Sequence, residues 1–376
     1  MKRIGIITIH RIYNYGSVLQ AYALQCVCKR LGYDTNIIDY IFPNDFQIAK
    51  SRKYVSGHKA SVKALIIKGL CLVQLIKQHK RIRAFICDYL NLSKQKYTSP
   101  EELKKSDNIY DIYITGSDQL WNTRYTYGDT SFFLDFVPDR CPKISYAASF
   151  GSSKIDSKYA EEIGKYLRRY KYLSVREESG KEIIKSLIHR DAEVVLDPTL
   201  LLDATEWSKL AVEPRIKRKY ILCYFLNYTY NAFPYVDDLA DYISRMTGYM
   251  LVRVARPPMR LINKRTHFEI SASPEEFIGL IKNAEIVLTT SFHGTAFAVN
   301  FSVPLFSVIE NRKYIDSRQY DFMRSVGMED RILSMGDEFP SKDRIYCDYT
   351  RAQAKLNELR ARSLDYLRNS LKDEQN

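Results

Sequence analysis

The sequence predicts an α/β protein of two Rossmann-like domains facing across a cleft, and three stretches carry that prediction. Arg3–Ile9 is a short β-branched strand. It is followed by the turn Tyr13-Asn14-Tyr15-Gly16-Ser17, a helix over Val18–Leu31 that stops at Gly32, and a second strand at Asp34–Asp39. This alternation opens a parallel sheet. Asn283–Ser307 repeats it later: a buried strand to Thr290, the junction Ser291-Phe292-His293-Gly294, an apolar helix, and a further strand after Pro304. Between them, the basic connector Arg215-Ile216-Lys217-Arg218-Lys219 precedes a fresh strand at Tyr220–Leu226, which sets the domain boundary.

With 376 residues the chain exceeds one core of ordinary size, which supports two domains. We expect an N-terminal domain over 1–214 with a helical insertion at about 46–106, a C-terminal domain over 215–332, and a helical tail over 333–376 that packs back on the body. Hydrophobic residues at 45% and charged residues at 27% exclude disorder as the default. A net charge of +13 points to an anionic partner, which nucleic acid, phospholipid surfaces, nucleotide sugars and phosphorylated small molecules all satisfy. The seven cysteines are odd in number and sit mostly in apolar runs, as in a reduced cytoplasmic protein. Cys26 and Cys28 lack a second pair at zinc-finger spacing, so no metal site is expected. Only Ile4–Ile9 is apolar before His10, too short for a secretory leader, and no run is long enough to span a bilayer.

In the first domain, Asn14, Gly16 and Ser17 fall at the C-terminal edge of the sheet, where such sheets bind ligands. Gln20 and His10 lie close enough to reach the same edge. The helix Ala64–Ile76, followed by Lys77, His79, Lys80, Arg81 and Arg83, reads as a surface for an anionic membrane or as a buried helix with a solvated basic end. After the strand Asp111–Thr115 come Asp118, Gln119 and Trp121, a carboxylate, an amide and an indole suited to sugar hydroxyls and an apolar sugar face. Arg176 and Glu177 end another strand, and the planar fork of arginine suits carboxylate or phosphate.

In the second domain, Ser273-Pro274-Glu275-Glu276 caps the helix Phe277–Asn283 that leads into the Ser291 junction. There Ser291 can cap the next helix, Gly294 can admit a ligand to the backbone, and His293 offers an imidazole at a helix N-terminus that favours anions. Arg312 and Arg318 follow and add positive charge. In the tail, Leu356, Leu359, Leu364, Leu367 and Leu371 recur at helical spacing.

Two such domains with facing sheet edges describe a GT-B-like enzyme. The sequence further resembles the polysaccharide pyruvyl transferase family. The resemblance is carried by the N-Y-G-S turn with Leu19, Gln20 and Ala21, by Tyr110-Asp111 into GSDQLWN, and by ISYAASFG at 144–151. It continues in SVRE at 174–177, LDPTLL at 196–201 with Trp207, and SPEEFIGLIKNA into TTSFHGTAF. Together these run from residue 13 to about 332 in the family's order. The resemblance implies transfer of pyruvate from phosphoenolpyruvate to a sugar of a capsule or exopolysaccharide unit as a cyclic ketal, with no metal and no other cofactor.

Such chemistry needs cations for phosphate and carboxylate, an acid/base group and a sugar platform. His293, Ser291, Gly294, Arg176, Arg312 and Arg318 fit the donor, with Asp118, Glu177 and His293 as acid/base groups. Asn14, Gly16, Ser17, Gln119 and Trp121 fit a saccharide or lipid-linked saccharide acceptor. Family branches resembling established ketal transferases carry Arg two residues before the motif histidine, where this chain has Ser291. A nucleotide-sugar glycosyltransferase therefore stays open as the alternative, beside a saccharide-binding subunit without activity. The expected location is cytoplasmic, at the membrane face if the acceptor is lipid-linked, and no nucleic-acid partner is implied.

Overall fold

The structure is a computed structural model that describes residues 1–42, 62–107, 109–226, 230–254, 266–311 and 317–372, and for 62–71 and 317 the backbone alone. The site residue Arg312 lies outside the described residues. The first domain contains β1 (Arg3–Ile7), β2 (Asp34–Tyr40), β3 (Leu92–Tyr97), β4 (Ile112–Thr115) and β5 (Lys143–Ser145). They form a parallel sheet in the order β3-β2-β1-β4-β5. Single parallel bridges, Ile144 with Tyr172 and Ala148 with Val175, extend it to the pair β6 (Ser174–Val175) and β7 (Glu193–Val194).

The second domain holds β8 (Tyr220–Tyr224), β9 (Met250–Val254), β10 (Thr266–Glu269), β11 (Ile286–Thr289), β12 (Leu305–Ile309) and β13 (Ile332–Ser334). This sheet is also parallel, in the order β10-β9-β8-β11-β12-β13. β8, β11 and β12 are buried at every position, as central parallel strands covered on both faces must be. Each sheet has one point where strand order reverses, between β1 and β4 and between β8 and β11. The crevice beyond such a reversal is the default ligand site of this architecture.

Local chemistry sets the helix ends that face those crevices. The helix Tyr15–Arg30 starts at Asn14, whose side chain accepts from the N–H groups of Gly16 (2.9 Å) and Ser17 (3.4 Å). The helix Pro274–Lys282 starts with a reciprocal capping box between Ser273 and Glu276 and with proline in its first turn.

Two expectations need correction, and a third, the returning tail, gains detail. Residues 92–97 are no part of a helical insertion: they form β3, and the helix Val62–Tyr89 precedes it in the crossover from β2. LSKQKY hid this because an edge strand, half-exposed on both faces, needs no apolar run. The boundary at 332/333 cuts through β13, which belongs to the second sheet. The tail is a single long helix, Thr350–Lys372, that returns to the first domain as well as the second. Tyr33 Oη donates to Leu371 O (2.8 Å), Tyr366 Oη to Ser145 O (3.1 Å), and Leu196 N to Ser363 Oγ (2.9 Å).

One apolar cluster continues across both domains, from Ile4 and Leu24 through Trp207, Phe277 and Phe297 to Leu371. Tyr15 stacks on Phe277 with ring centroids 4.4 Å apart, and Trp207 meets Phe297 at 5.1 Å while donating to Thr199 O (2.8 Å). Burial of this kind, worth about 25 cal/mol per Å2, fixes how the two sheet edges face each other.

Candidate active site

The first sheet brings four loops to its C-terminal edge. After β1 and its loop, Ser17 in the first helical turn donates to Asp118 Oδ2 at 2.5 Å. After β4, Ser117 donates to Asp197 Oδ2 at 3.0 Å. After β5, Ser149 Oγ and the N–H of Phe150 donate to Glu177 Oε1 at 2.7 and 3.1 Å. After β6, Arg176 Nη1 donates to Asp197 Oδ2 at 2.8 Å. Asp118 and Ala147, in two of these loops, hold φ of +78° and +53°. Such backbone costs of order 1–3 kcal/mol and persists where the surroundings over-determine it.

The second sheet contributes the helix Phe292–Asn300 after β11. Ser291 caps it, accepting from Gly294 N at 3.4 Å, and its carbonyl accepts from Thr295 N at 3.0 Å. The first two N–H groups, of Phe292 and His293, have no intrahelical partner by geometry. His293 reaches across the domain boundary: its Nε2 lies 3.6 Å from Asp197 Oδ2, and its ring rests on the backbone of Gly16. A Cβ at Gly16 would fall inside the imidazole, so the close approach requires glycine there. Phe292 packs its ring 4.4 Å from the guanidinium of Arg176.

At this edge, three of the buried polar side chains are incompletely paired among the described residues. Arg176 Nε and Nη2, Glu177 Oε2 and His293 Nε2 have no hydrogen-bond partner. They converge: Arg176 Nε is 3.8 Å from Glu177 Oε2, and Nη2 is 3.9 Å from Asp118 Oδ1. A buried cation with two idle donors is costly unless a ligand supplies the acceptors.

The two fully buried carboxyls are driven in opposite directions. Burial raises the Glu177 pKa, and the opposing pull of Arg176, Ser149 and Arg318 does not cancel it. Burial also works against ionised Asp197, but His293, Arg176 and the Thr199 N–H outweigh it and hold this carboxyl well below its ordinary range. Asp197 is thus held as an anion, whereas burial makes Glu177 the weaker acid of the two and the better suited to exchange a proton. Among the described residues, no group of three or more His, Cys, Asp and Glu is placed to hold a metal ion.

The structure therefore brings together Ser17, Asp118, Arg176, Glu177 and His293 from the sequence-derived set, and the charge of Arg318 reaches Glu177. Other members take different roles. Trp121 is fully buried, stacked 5.3 Å from Phe133 and donating to Phe132 O at 3.1 Å, so it is a core residue and not the exposed sugar platform expected. Asn14 is engaged as a cap. Gly294 is required by packing, because a Cβ there would collide with Thr289 Oγ1. Ser291 caps its helix and is itself buried. Gln119 lies half-buried at the rim, accepting from Asn122 Nδ2 at 2.8 Å. His10 is satisfied by Asp39 (3.2 Å) and by Thr8 O (2.9 Å), and Gln20 donates to Thr8 Oγ1 at 2.8 Å.

Asp197 was the residue that pattern reasoning passed over as a site residue. In sequence it looks like the cap of Pro198–Leu200, and its Oδ1 does accept from Thr199 N at 3.0 Å. Its other oxygen is what joins the two domains' functional side chains, a fact visible only in three dimensions.

A sequence model described as polysaccharide pyruvyl transferase matches residues 14–312. No curated protein matches the chain in sequence. Among solved structures, the chain is similar to HepE of Anabaena in complex with UDP and glucose, with TM-score 0.57 and 10% identity over 99% of this chain and 100% of that one. It is similar to a Listeria monocytogenes protein assigned as a UDP-N-acetylglucosamine 2-epimerase, with TM-score 0.54 and 10% identity over 98% and 90%. A third is MnaA of S. aureus with UDP, with TM-score 0.50 and 12% identity over 96% and 90%. At these identities the likeness is one of fold, and the fold is GT-B-like.

Proposed function

The chain belongs to the polysaccharide pyruvyl transferase family, and is a transferase; we propose that it moves pyruvate from phosphoenolpyruvate onto a saccharide as a cyclic ketal. The observation that carries the proposal is the pairing of idle cationic donors on Arg176 with the buried Glu177 carboxyl 3.8 Å away, whose pKa burial raises. Phosphoenolpyruvate needs both: cations for its phosphate and carboxylate, and an acid for its methylene carbon. Arg176, Arg318, His293 and the N–H groups at the start of Phe292–Asn300 receive the anions. Glu177 protonates the methylene carbon, which becomes a methyl group and leaves cationic character at the carbon bearing phosphate. One sugar hydroxyl adds there, the bond to phosphate breaks, and a second hydroxyl closes the ring. Of the two hydroxyl protons, one balances the proton taken up by carbon and the other leaves with phosphate. Asp118, held by Ser17, is placed to accept a hydroxyl proton.

The test is phosphate release from phosphoenolpyruvate in the presence of candidate capsule or exopolysaccharide units, with the ketal methyl group read by NMR in D2O. Deuterium in that methyl group supports protonation at carbon, and phosphate release without a ketal refutes the proposal.

Glycosyl transfer from a nucleotide sugar is the second reading, favoured by the neutral Ser291 at the helix start and by UDP in fold relatives. Release of UDP from a UDP-sugar by the same preparation would favour it. We also propose peripheral membrane association, where a lipid-linked acceptor would be met. Leu72, Val73 and Ile76 are exposed on the helix Val62–Tyr89 beside exposed Lys77 and Lys80. No described helix is long and apolar enough to cross a membrane. Failure to sediment with anionic liposomes at low salt would remove this part.

A further inference from the structure

We infer that the acceptor is a negatively charged saccharide, and that a second pocket beside the reacting cluster reads its charge. The inference rests on the reading of the cleft as a saccharide-modifying centre and adds the chemical class of the acceptor. The pocket, about 230 Å3, opens beside the loops that follow β4 and β5. At about 30 Å3 per water it holds roughly eight waters, the scale of one sugar ring. Phe150 and Ile155 supply apolar wall, and Asn122 and Ser152 supply hydrogen-bonding groups.

Its charge is unbalanced. Arg124 and Lys154 both line it, both are exposed, and neither side chain has a partner among the described residues. The acid on the lining, Asp156, is occupied by its own helix, accepting from Lys158 N at 3.2 Å with Lys158 Nζ 3.7 Å away. Two cations over a partly apolar wall suit an anion carried on a ring.

The pocket is also one residue from each acid of the reacting cluster. Gln119, which follows Asp118, accepts from the pocket residue Asn122 at 2.8 Å. Phe150 lines the pocket while its N–H donates to Glu177 Oε1. Gly151 keeps this junction tight at φ +58°, where a Cβ would strike Gln119. A saccharide with hydroxyls at Asp118 and Glu177 would therefore place a neighbouring carboxylate or phosphate at Arg124 and Lys154.

The test is calorimetric titration of the full chain, without donor, with glucose, glucuronate and glucose 1-phosphate. Wild type is compared with Arg124→Ala/Lys154→Ala, and with the reversal Lys154→Glu as a second variant. Both positions are exposed, so melting temperatures are expected to match wild type. The expected result is at least about tenfold tighter binding of one anionic sugar than of glucose, about 1.4 kcal/mol. The double variant should bind all three alike, and Lys154→Glu should disfavour the anionic sugar. The anion whose advantage disappears identifies the acceptor's charge as carboxylate or phosphate. Equal binding of the three by wild type overturns the inference. So does an advantage that survives in the double variant, which would assign the anion to the donor cleft. Phosphoenolpyruvate titrated alongside is expected to bind both proteins equally. Its failure to bind wild type would refute the donor assignment and leave the sugar comparison intact, because the readout is binding and not turnover.

Discussion

The segments that follow β6 and β7 lie side by side, and each buries a carboxyl group. After β7, Asp197 collects donors on both oxygens, from Thr199 N, Thr199 Oγ1, Ser117 and Arg176, with His293 beside them. After β6, Glu177 is served on one oxygen by Ser149, Phe150 and Gly151, and the other oxygen is left idle. With equal burial, the nearby charge of His293 and Arg176 and the fuller hydrogen bonding make the first an anion that aligns its neighbours, and the second a group better suited to exchange a proton. The difference separates positioning from chemistry within a few residues of one sheet edge.

The largest effect should come from the anchor. Asp197→Ala leaves Arg176 buried without its carboxylate, and is expected to lower stability by about 3–5 kcal/mol while abolishing donor binding. Urea unfolding checks this, and a variant as stable as wild type would mean the anchor role is wrongly assigned. Glu177→Gln should separate the two regions. Turnover is expected to fall about 10²- to 10⁴-fold, the usual contribution of a general acid, with stability changed by no more than about 1 kcal/mol. Turnover within a few-fold of wild type would move the proton donation to another group.

The pH dependence of stability should carry opposite signs at the two positions. Asp197 has a lowered folded-state pKa, so its contribution is present above its ordinary value of 3.8 and lost as pH falls below that. Glu177 has a raised one, so its contribution is full below 4.5 and lost as pH rises through the folded-state value. Asp197→Asn should therefore remove part of the acid-side decline. Glu177→Gln should flatten the decline on the other side, and matching profiles for the two variants would erase the distinction. A smaller effect is expected at the contact that brings His293 to this edge. Gly16→Ala should cost about 1–3 kcal/mol by overpacking, most of it recovered in the double variant with His293→Ala. Equal instability of the single and double variants would show that Gly16 is constrained by something else.

Much of the frame was legible in the sequence because it depends on local signals. Strand and helix at Arg3–Arg30 and at Ile286–Asn300 follow from β-branched runs and, at the second, from Ser291 as cap, whereas Asn14, expected at the acceptor, turned out to cap the first helix. β3 was missed because LSKQKY carries edge-strand polarity. In the site, Arg176, Glu177, Asp118 and His293 stood out as polar residues at strand ends. Trp121 was misplaced because one residue after a recognition loop the chain already turns inward, and a tryptophan's exposure is not written in its neighbours. Asp197 was overlooked because a cap at Pro198 explains it fully until His293 and Arg176 arrive from elsewhere in the chain.

The most direct measurement is ligand-induced stabilisation of wild type and His293→Ala by phosphoenolpyruvate and by UDP-sugars. At 100 times its dissociation constant a ligand adds about 2.7 kcal/mol, a clear shift in melting temperature. The account predicts stabilisation of wild type by phosphoenolpyruvate that is lost in the variant. Stabilisation by a UDP-sugar alone would contradict it and assign the cleft to glycosyl transfer.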